Sequence, residues 1–414
     1  MAPKFTKEMK KTHTIIVPNM SPLHFSLLEK VFHCHGYKIR LLDNYDGDII
    51  NIGLKYVHND MCYPCLLVVG QIIDAIQRGL VDRDRCAVAI TQTGGGCRAS
   101  NYYYLLIKAL EKAGLSDIPV ISLNLSNLNS SPGFEISLTM LLQSYAAIIY
   151  GDLMMLLRNQ VKPYEVNKGE TDALVDKWLD RLRSKFERNK GYFWSNLREN
   201  FNEISDDFSS IEVNRVPILK VGIVGEIYMK YSTLGNSDLE GFLQKEGAEI
   251  MLPPLNSFLL YALFNRKKDY EYYGKKPLLS FMTTHVAFPI LRRFENWMHQ
   301  AIKRHPEFTS PLSFDQLTER GERFIDLGCK MGEGWLLTAE MAELIEKGYP
   351  NIVCTQPFGC LPNHIVGKSK IRVLKEHYPK SNIVAIDYDP SETKVNQENR
   401  IKLMLAVGRE NLGS

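Results

Sequence analysis

Short apolar runs alternate with helix-length amphipathic segments along both halves of the chain, and this alternation limits the fold more than any other feature. Thr14-Ile-Ile-Val17 comes first. Pro22 then opens a helical pattern to about His35, and Tyr37 to Leu42 reads as a strand. The spacing predicts a helix over 66–78, a strand at Cys86-Ala-Val-Ala-Ile90, a helix over 100–113 and a strand at Pro119-Val-Ile-Ser-Leu123. Nearly continuous apolar runs suit parallel strands, because helices cover both faces of such a sheet. The expected class is α/β, with doubly wound parallel sheets.

The pattern starts again at Leu219-Lys-Val-Gly-Ile-Val224. It continues through Ile250 to Leu252 and a helical middle section, and closes with Asn351-Ile-Val-Cys-Thr355 and Asn382-Ile-Val-Ala-Ile386. Between the halves lies a charged segment of helical periodicity that includes Lys177, Asp180, Arg181, Lys185 and Glu187. A chain of 414 residues is long enough for two cores. The expected layout is a first α/β domain over 1–164, a helical connector over 165–215 and a second α/β domain over 216–414.

Composition excludes several other classes. Apolar residues at 45% and charged residues at 23% are those of a globular protein, not of a disordered or collagen-like one. A net charge of +3 argues against a nucleic-acid groove and against a polybasic membrane anchor. The longest uncharged stretch, Gly348 to Gly367, is broken by Pro350, Pro357 and Pro362 and cannot be a membrane helix. Ile136 to Gly151 reads as a buried helix that stops short of a span. The basic N-terminus has no apolar signal region, so a cytoplasmic location is expected, where the eight cysteines stay reduced.

Ligands of open α/β sheets sit beyond the carboxyl ends of the strands. Two of the loops placed there carry a cysteine in a glycine-containing turn: Thr93-Gly-Gly-Gly-Cys97 and Gln356-Pro-Phe-Gly-Cys360. Cys62, in Asp60-Met-Cys-Tyr-Pro-Cys65, directly precedes a helical run. Gly95, Gly96 and Gly359 allow the backbone to approach an inorganic group, and Arg98 follows Cys97 at a helix start. Helix N-termini are expected to lower the thiol pKa, and three such thiolates are able to bind one iron–sulfur cluster. Cys34 and Cys86 read as core residues.

Other motifs are weaker. One CxxC with no partner does not make a zinc set. Gly367-Lys-Ser369 has Pro362 where a phosphate loop needs its first glycine, so the chain is expected to bind no nucleotide of its own. Glu333, in Gly332-Glu-Gly334-Trp335, reads either as a proton donor or as a charge suited to a helix start. His364 and Asn363 read as hydrogen-bonding partners of a cluster sulfur or a substrate oxygen, or as solvent-facing loop residues. Asp387-Tyr-Asp389-Pro390 suits a crevice contact or a helix cap.

Taken in order, Cys62-Tyr-Pro64, the segment Thr91 to Asn101, Gly225-Glu-Ile-Tyr228, Gly332-Glu-Gly-Trp-Leu336, the segment Gln356 to His364 and Ile386-Asp-Tyr-Asp-Pro390 form a pattern. It resembles the 2-hydroxyacyl-CoA dehydratase iron–sulfur family, most closely the carboxy-terminal module of the large activase-fused proteins. The resemblance implies two flavodoxin-like domains facing a central cleft, with an oxygen-sensitive [4Fe–4S] cluster on Cys62, Cys97 and Cys360. It also implies an ATP-dependent activase partner, and a small acyl-CoA-like substrate dehydrated or reduced through a radical. Cys65, Cys329 and Cys354 leave room for the double-cubane [8Fe–9S] cluster of related reductases, and an electron-relay module without dehydratase activity stays open. No nucleic-acid or membrane partner is implied, and a dimer is left open.

Overall fold

A computed structural model describes residues 3–58, 60–92, 96–124, 129–274 and 277–413. Each apolar run named above forms a strand. β1 (Thr14–Pro18), β2 (Lys38–Leu42), β3 (Cys86–Thr91) and β4 (Val120–Leu123) build the first sheet. β5 (Lys220–Gly225), β6 (Glu249–Met251), β7 (Asn351–Pro357) and β8 (Asn382–Tyr388) build the second.

Both sheets are parallel throughout, with Ile15 opposite Ile39, Val88 opposite Val120 and Cys354 opposite Ala385. Their orders are β2-β1-β3-β4 and β6-β5-β7-β8, so each half places its first strand between its second and third. The protein has an α/β fold with two parallel-sheet domains. In each sheet the order reverses between the first and third strands, and a ligand crevice opens at such a point.

Helices Glu170–Glu187 and Trp194–Ser209 occupy the charged segment between the sheets. The first ties back to the first half, where Arg183 bonds Ser26 and Lys30 pairs with Glu187. The second reaches the other half, where Asp206 accepts from Arg304 and His305.

The apolar segment first seen at Ile136 to Gly151 is longer than its uncharged part. It forms helix Leu138–Val161, which continues through Asp152 because that carboxylate is fully paired inside the protein. Asp152 accepts from the backbone N–H groups of Leu255 (2.6 Å) and Asn256 (2.9 Å) and bonds His24 Nε2 at 3.0 Å. A first-half residue therefore satisfies the free N–H groups at the start of helix Leu255–Tyr273 in the second half. Ser21 completes a Ser-His-Asp chain, with its Oγ 2.7 Å from His24 Nδ1. All three residues are buried, so this is a structural tie. By length and composition this is the one helix among the described residues able to cross a membrane, and 78% of its apolar window is covered by protein.

Helices Ile49–Tyr56 and Tyr63–Gln77 cross with their backbones almost touching. A Cβ on Gly53 would lie 2.3 Å from the Leu66 carbonyl oxygen, and one on Gly70 would lie 2.1 Å from that of Ile49. Only glycine allows this approach, and it fixes the helix whose N-terminus carries Cys62. The two largest core clusters each mix residues of both halves, Ala89 with Val224 in one and Ile16 with Ile223 in the other. Cys86 is buried as expected, whereas Cys34 is exposed: it closes helix Pro22–Cys34 on the solvent side.

Candidate functional site

Cys97 follows β3 and Cys360 follows β7, the third strand of each sheet. The two cysteines thus occupy equivalent positions in the two halves. Cys62 is the N-cap of helix Tyr63–Gln77, with its carbonyl accepting from Cys65 N–H at 2.9 Å. Pro64 sits in the first turn of that helix, where a missing N–H costs nothing.

The two halves meet backbone to backbone at this point. Tyr63 N–H donates to the Phe358 carbonyl at 2.9 Å. Gly359 adopts φ +72°, and a Cβ there would sit 3.1 Å from Cys62 Cα and 3.2 Å from Arg98 Nη1. Gly359 therefore lets the Cys360 turn close onto the Cys62 turn. The result is one cavity of about 300 Å³ whose wall includes Cys62, Cys97 and Cys360.

Gly96, Arg98 and Gly359 also line this cavity, while Gly95 lies outside the described residues. Arg98 Nη1 is held by the Asp60 carbonyl. Cys329 lines the cavity too, at its exposed side. Cys65 instead points into the core around helix Tyr63–Gln77, and Cys354 lies inside the second sheet with Gln356 Nε2 3.2 Å from its sulfur.

Each deep thiol has a hydrogen-bonding neighbour. Tyr102 Oη stands 2.8 Å from Cys62 Sγ, and Asn363 Nδ2 donates to Cys360 Sγ at 3.4 Å. His364, half-buried in the turn after Cys360, gives its backbone N–H to the Cys360 carbonyl, and its ring is not part of the cavity wall. Asn363 therefore takes the sulfur contact.

The expected lowering of the thiol pKa by helix N-termini does not hold. Burial dominates, raising Cys62 and Cys360 and pushing Cys97 up to about 11. The nearby carboxylates of Glu226 and Glu333 add to this for Cys97 and Cys360. Without a cation the three thiols keep their protons, whereas a bound metal displaces them.

Glu333 is buried in the second half and is not part of the cavity wall; its Oε1 accepts Ile227 N–H at 2.9 Å. Glu226 follows β5, caps the next helix through Met229 N–H (2.9 Å) and lines the cavity. Burial raises both carboxyl groups, and Glu333 raises Glu226 further. The pair therefore holds a proton above the usual carboxylate range. Lys230 stands behind it, buried and paired with Glu340 at 2.9 Å. Glu226 did not stand out as a proton carrier in the sequence, because a Glu just past a strand is first a helix cap. Its second role depends on Glu333, which is 107 positions away.

The phosphate-loop segment is ordinary structure: Lys368 pairs with Asp387, and Ser369 bonds the Ile365 carbonyl. Asp389 accepts from Ser391 N–H at 2.8 Å and so organises a turn.

A second chamber of about 380 Å³ adjoins the cysteine cavity, sharing Pro64, Tyr102 and Glu226 as wall. The rest of its lining is mostly apolar, including Phe25, Leu28, Phe32 and Met140.

Among the described residues no three His, Cys, Asp or Glu side chains converge as they would on a single ion. Around a tetrahedral zinc the sulfurs stand only ~4 Å apart, as its bond lengths require. The cavity thiols are a soft donor set of the chemical kind that iron–sulfur clusters use. Neither family models nor curated protein sequences match the chain.

Proposed function

We propose that the chain is a cytoplasmic iron–sulfur protein of the 2-hydroxyacyl-CoA dehydratase type, in which Cys62, Cys97 and Cys360 hold a [4Fe–4S] cluster. The observation that carries this reading is the shared cavity: two turns of the first half and one of the second bring their cysteines to one wall. Once bound, the cluster supplies one-electron chemistry at low potential. An ATP-dependent activase is the proposed electron source.

The chain's own residues supply the surroundings. Tyr102 and Asn363 donate hydrogen bonds to ligand sulfurs, which moderates their charge. Glu226 lies on the cavity wall, where a leaving hydroxyl needs a proton, and with the buried Glu333 next to it keeps one above the usual carboxylate range. The adjoining chamber supports an apolar acyl portion for the substrate, lodged beside the thiols and past Glu226.

Anaerobic reconstitution with iron and sulfide tests the reading. Wild-type protein is expected to take up iron and show a cluster signal in electron paramagnetic resonance. Alanine at Cys62, Cys97 or Cys360 should remove that signal, while Cys34→Ala and Cys86→Ala should keep it. Full iron retention in all three of the first set would overturn the assignment.

A further inference from the structure

The loop that carries Cys329 lies over the first half at the point where Cys97 stands. A Cβ on Gly332 would lie 4.0 Å from Cys97 Sγ, and one on Gly96 would lie 2.3 Å from Met331 Sδ. The loop is held in place at several points. The Cys329 carbonyl accepts Trp335 N–H at 2.7 Å, the Lys330 carbonyl accepts the Tyr261 hydroxyl at 2.7 Å, and Lys330 pairs with Asp269. Of the eight cysteines, four line the one cavity: Cys62 and Cys360 buried, Cys97 half-buried and Cys329 at the exposed side.

We propose that Cys329 supplies a fourth thiolate to the cluster held by Cys62, Cys97 and Cys360. The inference rests on the cluster reading above and adds to it. Its ground is geometric: a glycine-flanked loop from the second half brings a thiol to the open side of the same cavity. The thiol loses its proton on binding, as the other three do. With four thiolates no iron would be left open, so a substrate would reach one only by displacing Cys329; with Cys329 in place the cluster would pass electrons and bind no substrate.

The test uses full-length protein reconstituted anaerobically. Iodoacetamide labelling with mass spectrometry is read on the wild type, before and after cluster assembly. Cys329, the exposed member of the set, is expected to label readily in the iron-free protein and to lose that labelling once the cluster is in place. Cys329→Ala is expected to keep its iron but to gain an iron that binds added cyanide, seen as a new electron paramagnetic resonance signal absent from the wild type. Equal labelling of Cys329 in both states, or identical cyanide responses of variant and wild type, overturns the fourth-ligand assignment and leaves the three-cysteine cluster standing. Failure of the wild type to take up any cluster overturns both.

Discussion

Tyr102 Oη lies 2.8 Å from Cys62 Sγ, and burial raises the phenol's pKa well above its usual value, so the hydroxyl keeps its proton. Facing a metal-bound thiolate, which only accepts, the phenol is the donor. A donor to a ligand sulfur favours the electron-rich reduced cluster. Tyr102→Phe should therefore move the cluster's midpoint potential to a more negative value while iron content stays at the wild-type level. An anaerobic redox titration followed by electron paramagnetic resonance checks this, and an unmoved potential would count against the contact.

Asp152 makes three bonds inside the protein, and two of them, to Leu255 and Asn256, join the two halves. Removing one partner of a buried charged network is costly, so Asp152→Ala should destabilise the protein by about 3–5 kcal/mol. Asp152→Asn keeps the shape and one acceptor, and should cost less. Urea denaturation of the three proteins measures the order; equal midpoints for Asp152→Ala and wild type would contradict the role given to this residue.

Glu343 gives a pH dependence with a definite sign. Its Oε1 accepts Leu312 N–H, yet burial pushes its pKa up to about 8 from an ordinary 4.5. Between these values the unfolded chain has lost the proton and the folded chain has kept it. Stability therefore falls as pH rises through that window, by up to about 1.4 kcal/mol per pH unit from this group. Glu343→Gln removes that contribution. Its urea midpoint should drop less than that of wild type between about pH 6 and about pH 8. Parallel slopes would show that the carboxyl group does not titrate in this way.

The crossing at Gly53 and Gly70 leaves no space for a methyl group. Gly70→Ala should cost about 1–3 kcal/mol, as overpacking does, by pushing two helices apart. Because Cys62 begins one of them, iron retention after reconstitution should fall as well. An alanine variant with unchanged stability and iron content would mean the two backbones separate without strain.

The strands were readable because parallel sheets ask for the plainest local signal, a run such as Ile352-Val-Cys-Thr355 that is apolar on both faces. Their order is not legible in the sequence, since it depends on pairings between distant segments. The positions of Cys97 and Cys360 could be argued from glycine turns just past strands. The cavity they share could not, because it is made by Gly359 closing onto Cys62, a contact across 297 positions. The thiol pKa values escape a sequence reading for a related reason: a helix end is a local signal, but the burial that outweighs it is set by the tertiary fold. Cys34 was placed inside because cysteines usually are, although the solvent side of its helix takes it out.

The way the halves share their cores bears on how the chain emerges from the ribosome. The first sheet is complete at Leu123 and helix Leu138–Val161 soon after, but groups that cover and cap them, such as Val224, Leu255 and Asn256, are made only with the second half of the chain. Domains generally fold as units during synthesis, first half first. This first half would wait with its longest apolar helix partly uncovered and Asp152 without its partners from the second half. The nascent chain is thus most vulnerable to aggregation in that interval, and slow translation of the central segment would lengthen it.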